Sequence, residues 1–476
     1  MKSARGYGSG RSRKSGHSIT LKNVPKRDWD SIAQLGVDAV WFMGVWERSP
    51  AGLAIARTNP SLMADFRRAL PDLAERDIVG SPYCVRRYVV DTALAEARKQ
   101  LAQRGVKLIL DFVPNHVAPD HPWTDDHPEY FIRGDREDLA KEPESFLERN
   151  GRIFACGRDP YFPAWPDVLQ LNAFDPGLRR AAIDTVSGIA EQCDGVRCDM
   201  SMLFINSIFE RTWGQRAGPK PSTEYWPDLI TAVKRGHNQF MFMAEAYWDL
   251  EWELQQQGFD YCYDKRLYDR MEHGDVNGVR QHLCADLAYQ SKLVRFLENH
   301  DEPRAASTFE PDEHRAAAVI ILTLPGTKLL YEGQFEGLRT RLQVFLARRP
   351  EESPDADLER FYRLLLQRTA HEPFRSGEWS LCECTGWPDN PSCRNLLAWR
   401  WKREAARCVI VVNFSPASSQ GLVRVTWPDM AGKRWRLTDP FSGQQYERQG
   451  DEMFGPGLYV SLEPWRWHFF ALEKLA

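Results

Sequence analysis

An α/β barrel followed by an antiparallel β domain is the fold class this sequence predicts, and three observations predict it. A unit of helix, glycine and apolar strand recurs along the first part of the chain. Seven strand-like segments fall within roughly 300 residues, which favours closure into a (β/α)8 TIM-type barrel over an open sheet. From about Glu378 the helical periodicity stops and β patterning takes over. The 476 residues are enough for a large domain, a smaller one and a sizeable core.

Taken in order, Met1–Gly16 is rich in Gly, Ser, Lys and Arg, and 1–17 reads as a disordered basic tail. Its Gly6-Tyr7-Gly8-Ser9-Gly10 follows no strand, so it is not read as a dinucleotide loop. Asp28–Leu35 predicts a helix closed at Gly36, followed by the strand Val37–Met43. The unit repeats as helix Thr92–Arg104 with strand Val106–Phe112, and as helix Leu178–Gln192 with strand Gly195–Asp199. Further strands are expected at Phe240–Ala244, Phe259–Tyr263, Leu293–Leu297 and Thr327–Tyr331, the last two separated by helix Glu313–Leu324. The barrel domain is set at 18–375, with a small inserted subdomain at 117–166. Helix Leu358–Arg368 closes it. A C-terminal antiparallel β-sandwich at 376–476 uses Asn395–Trp401, Cys408–Phe414, Leu422–Thr426, Arg434–Leu437 and Trp465–Leu472. The first regular element is a helix where a barrel should open with a strand. The first strand is therefore expected to be missing or irregular, leaving an open edge.

Composition excludes several classes. Net charge is −4, which gives no general case for nucleic acid or an anionic membrane. No apolar run reaches the ~18 residues a membrane span needs, and Met1–His17 lacks the apolar core of a signal peptide. The ten cysteines form no CxxC pair and no zinc-type spacing, so reduced thiols in the cytoplasm are expected. The polar run holding His121, Asp125, Asp126 and His127 reads as a loop rather than a metal site. Seventeen Trp and 12% aromatics lean weakly towards stacking on sugar rings.

Active sites of parallel barrels form at the C-terminal ends of strands. In Asp194-Gly195-Val196-Arg197-Cys198-Asp199-Met200, a period of two puts Arg197 and Asp199 on one face. Taken alone, the pair is either a structural ion pair or part of a reactive centre. Other strand ends carry Asp111 to His116, Glu245 to Trp248, and Glu298 to Arg304. Converging acids suit glycosidic cleavage, in which one carboxylate is the nucleophile and another delivers a proton. A neighbouring Arg holds the nucleophile ionised, and Arg197 is placed for that role.

These segments, Asp111–His116, Gly195–Asp199, Glu245 with its flanks and Asn299–Asp301, resemble the four signature regions of the alpha-amylase family of glycoside hydrolases. Leu330–Gln334 resembles that family's last barrel strand, and Val411–Ser415 its C-terminal sandwich. The resemblance implies Asp199 as nucleophile, Glu245 as general acid/base and Asp301 as the acid that holds sugar hydroxyls. It implies that His116, Arg197 and His300 line the donor subsite, that Tyr83 is an aromatic platform beneath that sugar, and that Trp248 is a further sugar contact.

There are departures. Many endo-acting relatives carry Lys-His where this chain has Met202 and Leu203, serving acceptor binding and a calcium site. Asn115 remains, but no calcium, other metal or cofactor is expected. Cys84 stands where exo-acting glucosidases have Asp. Three readings result. The first is a retaining hydrolase of α-glucosidic bonds in malto-oligosaccharides or α-glucans, the second a transglycosylase using the same residues. The third is a non-catalytic or impaired glucan-binding homologue with an incomplete barrel.

Overall fold

The computed structural model describes residues 21–90 and 93–475. The tail expected at 1–17 lies outside that range. The chain divides into two compact units. One runs to Tyr263 and takes in Thr340–Glu351; the other comprises Asp264–Arg339 and the residues from Glu352 onward.

In the first unit, helix α1 (Lys26–Ala33) buries Trp29 and Ile32. Gly36, at φ 72°, then turns the chain in a conformation that costs a side-chain-bearing residue energy. Strand β1 (Ala39–Phe42) follows, and it is the first strand of the parallel sheet among the described residues. Helix α2 (Ala93–Ala102) precedes β2 (Lys107–Phe112). Helix α3 (Pro176–Ala190) precedes β3 (Gly195–Cys198). Helices α4 (Asn206–Trp213) and α5 (Tyr225–Gly236) lead to β4 (Met241–Ala244), and β5 is Tyr261–Tyr263. The five strands pair in that order, all parallel.

The local sequence explains each element. In α3, Asp175 accepts a hydrogen bond from the Leu178 amide and Pro176 occupies the first turn. Leu178, Ala182, Val186 and Ile189 recur at helical spacing and form its buried face. In the strands, the period of two divides side chains between two faces. Val40, Leu110, Val196, Phe242 and Cys262 join the helices in one core. Fully burying each large aliphatic or aromatic side chain contributes about 1.5–3 kcal/mol. The opposite face carries Trp41, Asp111, Arg197, Met243 and Tyr263. The register confirms the alignment, with Asp111 opposite Arg197 and Arg197 opposite Met243. Gly195 allows β3 its close approach, since a Cβ there would lie 2.7 Å from the Met241 carbonyl oxygen.

Between β2 and α3 lies an antiparallel sheet of four strands in the order His116–Val117, Trp165–Gln170, Arg152–Gly157, Phe146–Arg149. The segment 340–351 packs Phe345 and Leu346 near Phe66 and Ile78, and Arg348 donates to both oxygens of Asp77.

In the second unit, Leu293–Arg295 and Thr327–Lys328 pair in parallel around the buried helix Pro311–Thr323. Antiparallel sheets follow. Six strands are ordered Glu378–Leu381, Leu396–Arg403, Ala406–Asn413, Trp467–Lys474, Arg434–Thr438, Gln445–Gln449, and three are ordered Glu383–Thr385, Ser419–Arg424, Leu458–Leu462. The central strands are apolar on both faces. Trp399, Ile410 and Val412 share a core with the Pro311–Thr323 helix, while Ala398, Val409 and Val411 pack with Val423 and Val460 of the smaller sheet. This is sandwich packing with a helical layer behind it.

Candidate active site

Arg197 is the centre of the first unit's polar cluster. It is fully buried, and its Nη1 donates to Asp199 Oδ1 at 2.7 Å. Its Nη2 lies 2.6 Å from Glu245 Oε1, and Asp111 Oδ1 is 3.7 Å from Nη1. The guanidinium also lies 5.1 Å from the Trp41 ring, 5.4 Å from that of Tyr83 and 5.6 Å from that of Tyr263. One cation thus joins two acids at adjacent strand ends inside a cage of aromatic faces. Coulomb attraction from Glu245, Tyr83, Tyr263 and Asp199 raises the Arg197 pKa despite its burial.

Backbone pairing continues beyond the strands and fixes the acids. The Asp199 amide donates to the Phe112 carbonyl at 2.8 Å, and the Glu245 amide to that of Cys198 at 3.0 Å. Met200 adopts φ 43°, an unfavourable conformation for a residue with a side chain, and its amide donates to Glu245 Oε2 at 2.6 Å. Tyr247 Oη donates to Glu245 Oε1 at 3.0 Å. The two oxygens of Glu245 are therefore held by Arg197, Tyr247 and one amide.

His116 is buried, bonded to the Tyr83 backbone, and its ring lies 5.2 Å from that of Trp165. Burial lowers its pKa, against an upward pull from Asp199. The sequence-expected residues Tyr83, His116, Arg197, Asp199 and Glu245 are thus brought together here. Asp301 and His300 belong to the second unit. There the Asn299 side chain accepts from the Asp301 amide at 2.8 Å and the Glu302 amide at 2.9 Å. His300 Nε2 lies 2.9 Å from Asp301 Oδ2. Beside them, burial pushes Glu298 up to about 7, opposed by Arg304 at 3.1 Å.

Trp41 and Tyr263 were not among the expected site residues. The available signal was strand periodicity, which aligns them with Arg197 once the register is known. Asp111 is the third acid on the cation. Burial pushes it up to about 7, with Asp199 adding to the rise and Arg197 opposing it. A single guanidinium does not hold three charged carboxylates in a dry site. Its folded value exceeds the ordinary 3.8, so the stability linked to Asp111 is complete below that value and is lost as pH rises through about 7. Asp111→Asn removes this loss. Denaturant titrations are expected to show the variant gaining on the wild type between about pH 4.5 and pH 8. An offset equal at both pH values contradicts the assignment.

The residues at the positions linked to calcium make other contacts here. The Asn115 side chain exchanges hydrogen bonds with Gln170, at 2.9 and 3.2 Å. Met202 and Leu203 are buried in the apolar core. His121 accepts from the Trp123 amide, and Asp125 from Asn150. Among the described residues, no group of three or more His, Cys, Asp or Glu is arranged to hold a metal ion.

Residues 28–390 match the family described as alpha amylase, catalytic domain. The alpha-amylase MalA of Haloarcula japonica is 25% identical over 404 residues, covering 81% of this chain and 51% of that protein. A probable oligo-1,6-glucosidase of Bacillus subtilis is 23% identical over 65% of this chain and 60% of its own length. The chain thus spans about half to three fifths of these relatives. The solved structure of a maltogenic alpha-amylase AmyB from Thermotoga neapolitana matches with a TM-score of 0.66 at 17% identity, covering 95% of this chain and 94% of that one. Its fold is shared. With the signature segments in sequence order and the family match over most of its length, this chain belongs to the alpha-amylase family.

Proposed function

We propose that the chain is a retaining glycosidase acting on α-glucosidic bonds of malto-oligosaccharides or related α-glucans. The observation that supports this most is the bridging of Asp199 and Glu245 by Arg197, at 2.7 and 2.6 Å. In this reading Glu245 gives a proton to the glycosidic oxygen as Asp199 attacks the anomeric carbon. The carbon–oxygen bond breaks, the leaving sugar departs with that proton, and a glycosyl ester forms on Asp199. Glu245 then takes a proton from water, whose oxygen displaces Asp199 with a second inversion. Tyr83 stacks beneath the donor sugar and His116 bonds its hydroxyls, and the family resemblance assigns contacts with sugar hydroxyls to Asp301 and His300. Arg197 keeps the two acids at fixed separation throughout.

All ten cysteines are free, which supports a reducing, cytoplasmic setting. Among the described residues no helix is long and apolar enough to cross a membrane.

Chromatography of products from maltoheptaose, within a panel of α-glucans, tests the reading. Shorter products alone are expected. Longer products assign transfer to a sugar acceptor instead. A folded protein that binds glucan yet forms no product contradicts a catalytic role.

A further inference from the structure

The segment 298–304 carries His300 and Asp301 but belongs to no helix or strand. Its shape therefore depends on its own side chains. Asn299 works from within, its side-chain oxygen accepting from the amides of both Asp301 and Glu302. Those two bonds fix the turn but not its place relative to neighbouring elements.

Arg304 supplies the outside reference. It is buried, and each of its three guanidinium nitrogens meets a different group. Nη1 lies 3.1 Å from Glu298 Oε1, Nη2 donates to the Glu332 carbonyl at 2.9 Å, and Nε donates to the Leu338 carbonyl at 3.3 Å. The guanidinium also lies 4.7 Å from the centre of the Tyr331 ring. Glu298 closes the other end, its Oε2 accepting from the Ala305 amide at 2.6 Å. The pair thus brackets residues 299–303 and ties them to the turn 331–338. That turn is itself anchored. The Gln334 side chain accepts from the Tyr331 amide at 3.1 Å and donates to the Tyr362 hydroxyl at 3.0 Å. The same hydroxyl lies 2.9 Å from His314 Nε2, so helices Pro311–Thr323 and Ala356–Thr369 both hold the turn. Gly333, at φ 89°, leaves the space that the guanidinium fills, since a Cβ there would lie 2.4 Å from Arg304 Nη2.

A second tie joins Lys265 Nζ to Glu302 at 3.2 Å, but its side chains are partly exposed, and such pairs contribute about 0–1 kcal/mol. Desolvation offsets much of the attraction in a buried pair, so stability alone is a weak reason for Glu298 and Arg304. What distinguishes them is their place, one on each side of Asn299, His300 and Asp301.

We propose that Arg304 is a positioning residue that sets where Asp301 presents its carboxylate, by bridging the segment 298–305 to the turn 331–338. This rests on the glycosidase reading of the chain and adds to it a residue whose buried guanidinium is committed to protein groups and acts through Asp301. A shift of about 1 Å in a group at the reacting centre costs on the order of a hundredfold in rate. Lysine at this position keeps a charge for Glu298 but presents one nitrogen in place of a planar fork.

The test is a double-variant cycle read as kcat/KM on α-maltosyl fluoride, an activated substrate on which weak variants remain measurable. Asp301→Asn is expected to lower kcat/KM at least about a hundredfold, and Arg304→Lys about tenfold. In the Asp301→Asn background, Arg304→Lys is expected to cost less than about twofold, because the carboxylate it places is gone. Gly333→Ala pushes on the guanidinium from the turn and is expected to show the same dependence on Asp301, so either variant serves if the other does not fold. A tenfold fall in both backgrounds overturns the proposal, as does an Arg304→Lys enzyme as active as the wild type. An Asp301→Asn enzyme with unchanged kcat/KM overturns it too, because Arg304 then has no carboxylate to act through. A folded wild type inactive on the fluoride defeats the glycosidase reading and this inference with it. An active wild type whose two losses multiply defeats the positioning role alone.

Discussion

Asp199→Asn is expected to lower turnover of maltoheptaose by at least about a thousandfold, because the amide forms no glycosyl ester and nucleophile losses are of this order or larger. The substitution is nearly isosteric, so the backbone bond from the Asp199 amide to the Phe112 carbonyl at 2.8 Å remains available. Glucan binding should persist, since Tyr83 and His116 are untouched. The informative result is therefore a split, with binding by calorimetry retained and turnover lost. Retained turnover would mean that the proposed nucleophile lies elsewhere. Loss of binding and turnover together would mean that the side chain maintains the shape of the site. A similar argument applies to Glu245→Gln, which keeps a hydrogen-bonding side chain beside Tyr247 but removes the transferable proton.

Arg197→Met is expected to produce the largest stability loss in the first unit, about 3–5 kcal/mol, the usual cost of removing one partner from a buried ion pair. Arg197 is wholly buried, and Asp199, Glu245 and Asp111 all lie within 4 Å of its guanidinium nitrogens. Methionine matches much of its length but leaves the acids without a cation. Urea denaturation followed by fluorescence, with 17 Trp as reporters, measures the loss. Combining Arg197→Met with Asp111→Asn should recover part of it by removing one of the stranded acids. A double variant that loses the full sum of both effects would show that the two residues act independently. The same pair of experiments separates Arg197 as a structural keystone from Arg197 as a charge partner for the proposed nucleophile.

The sequence made the barrel half legible because its units are local. Asp175 and Pro176 start a helix, Leu178 to Ile189 give its face, and Gly195 to Cys198 form a strand with few alternatives. Strand boundaries were read one to three residues too long. In Phe259–Tyr263, for example, pairing begins only at Tyr261. The C-terminal sheets were read only in part. Gln445–Gln449 and Leu458–Leu462 carry exposed residues at alternate positions, so their hydrophobic signal is diluted. The four-stranded sheet that begins at His116 was expected only as an irregular insertion; Phe146–Arg149 and Arg152–Gly157 form a hairpin closed at Asn150 and Gly151, whereas the pairing of His116–Val117 with Trp165–Gln170 joins segments far apart in the chain.

The candidate site divides in the same way. Arg197 and Asp199 sit two residues apart, so strand period alone puts them on one face. Trp41, Asp111 and Tyr263 reach the same cation from other strands, and only the register brings them there. Tyr161 meets Trp248 across two loops separated by α3, β3, α4, α5 and β4, a contact no local pattern encodes. Nor did the pattern at Met202 and Leu203 reveal that these residues turn inward to the core. Both side chains are buried in the apolar core of the first unit.

The central claim is that Asp199 and Glu245 cleave α-glucosidic bonds by double displacement. The anomeric configuration of the first product tests it most directly, read by proton NMR in the first minutes of maltoheptaose turnover, before mutarotation. Two inversions at the anomeric carbon give the α-anomer as the initial product, and this is the result expected. Initial release of the β-anomer contradicts the account, because it requires a single displacement by water with no ester on Asp199.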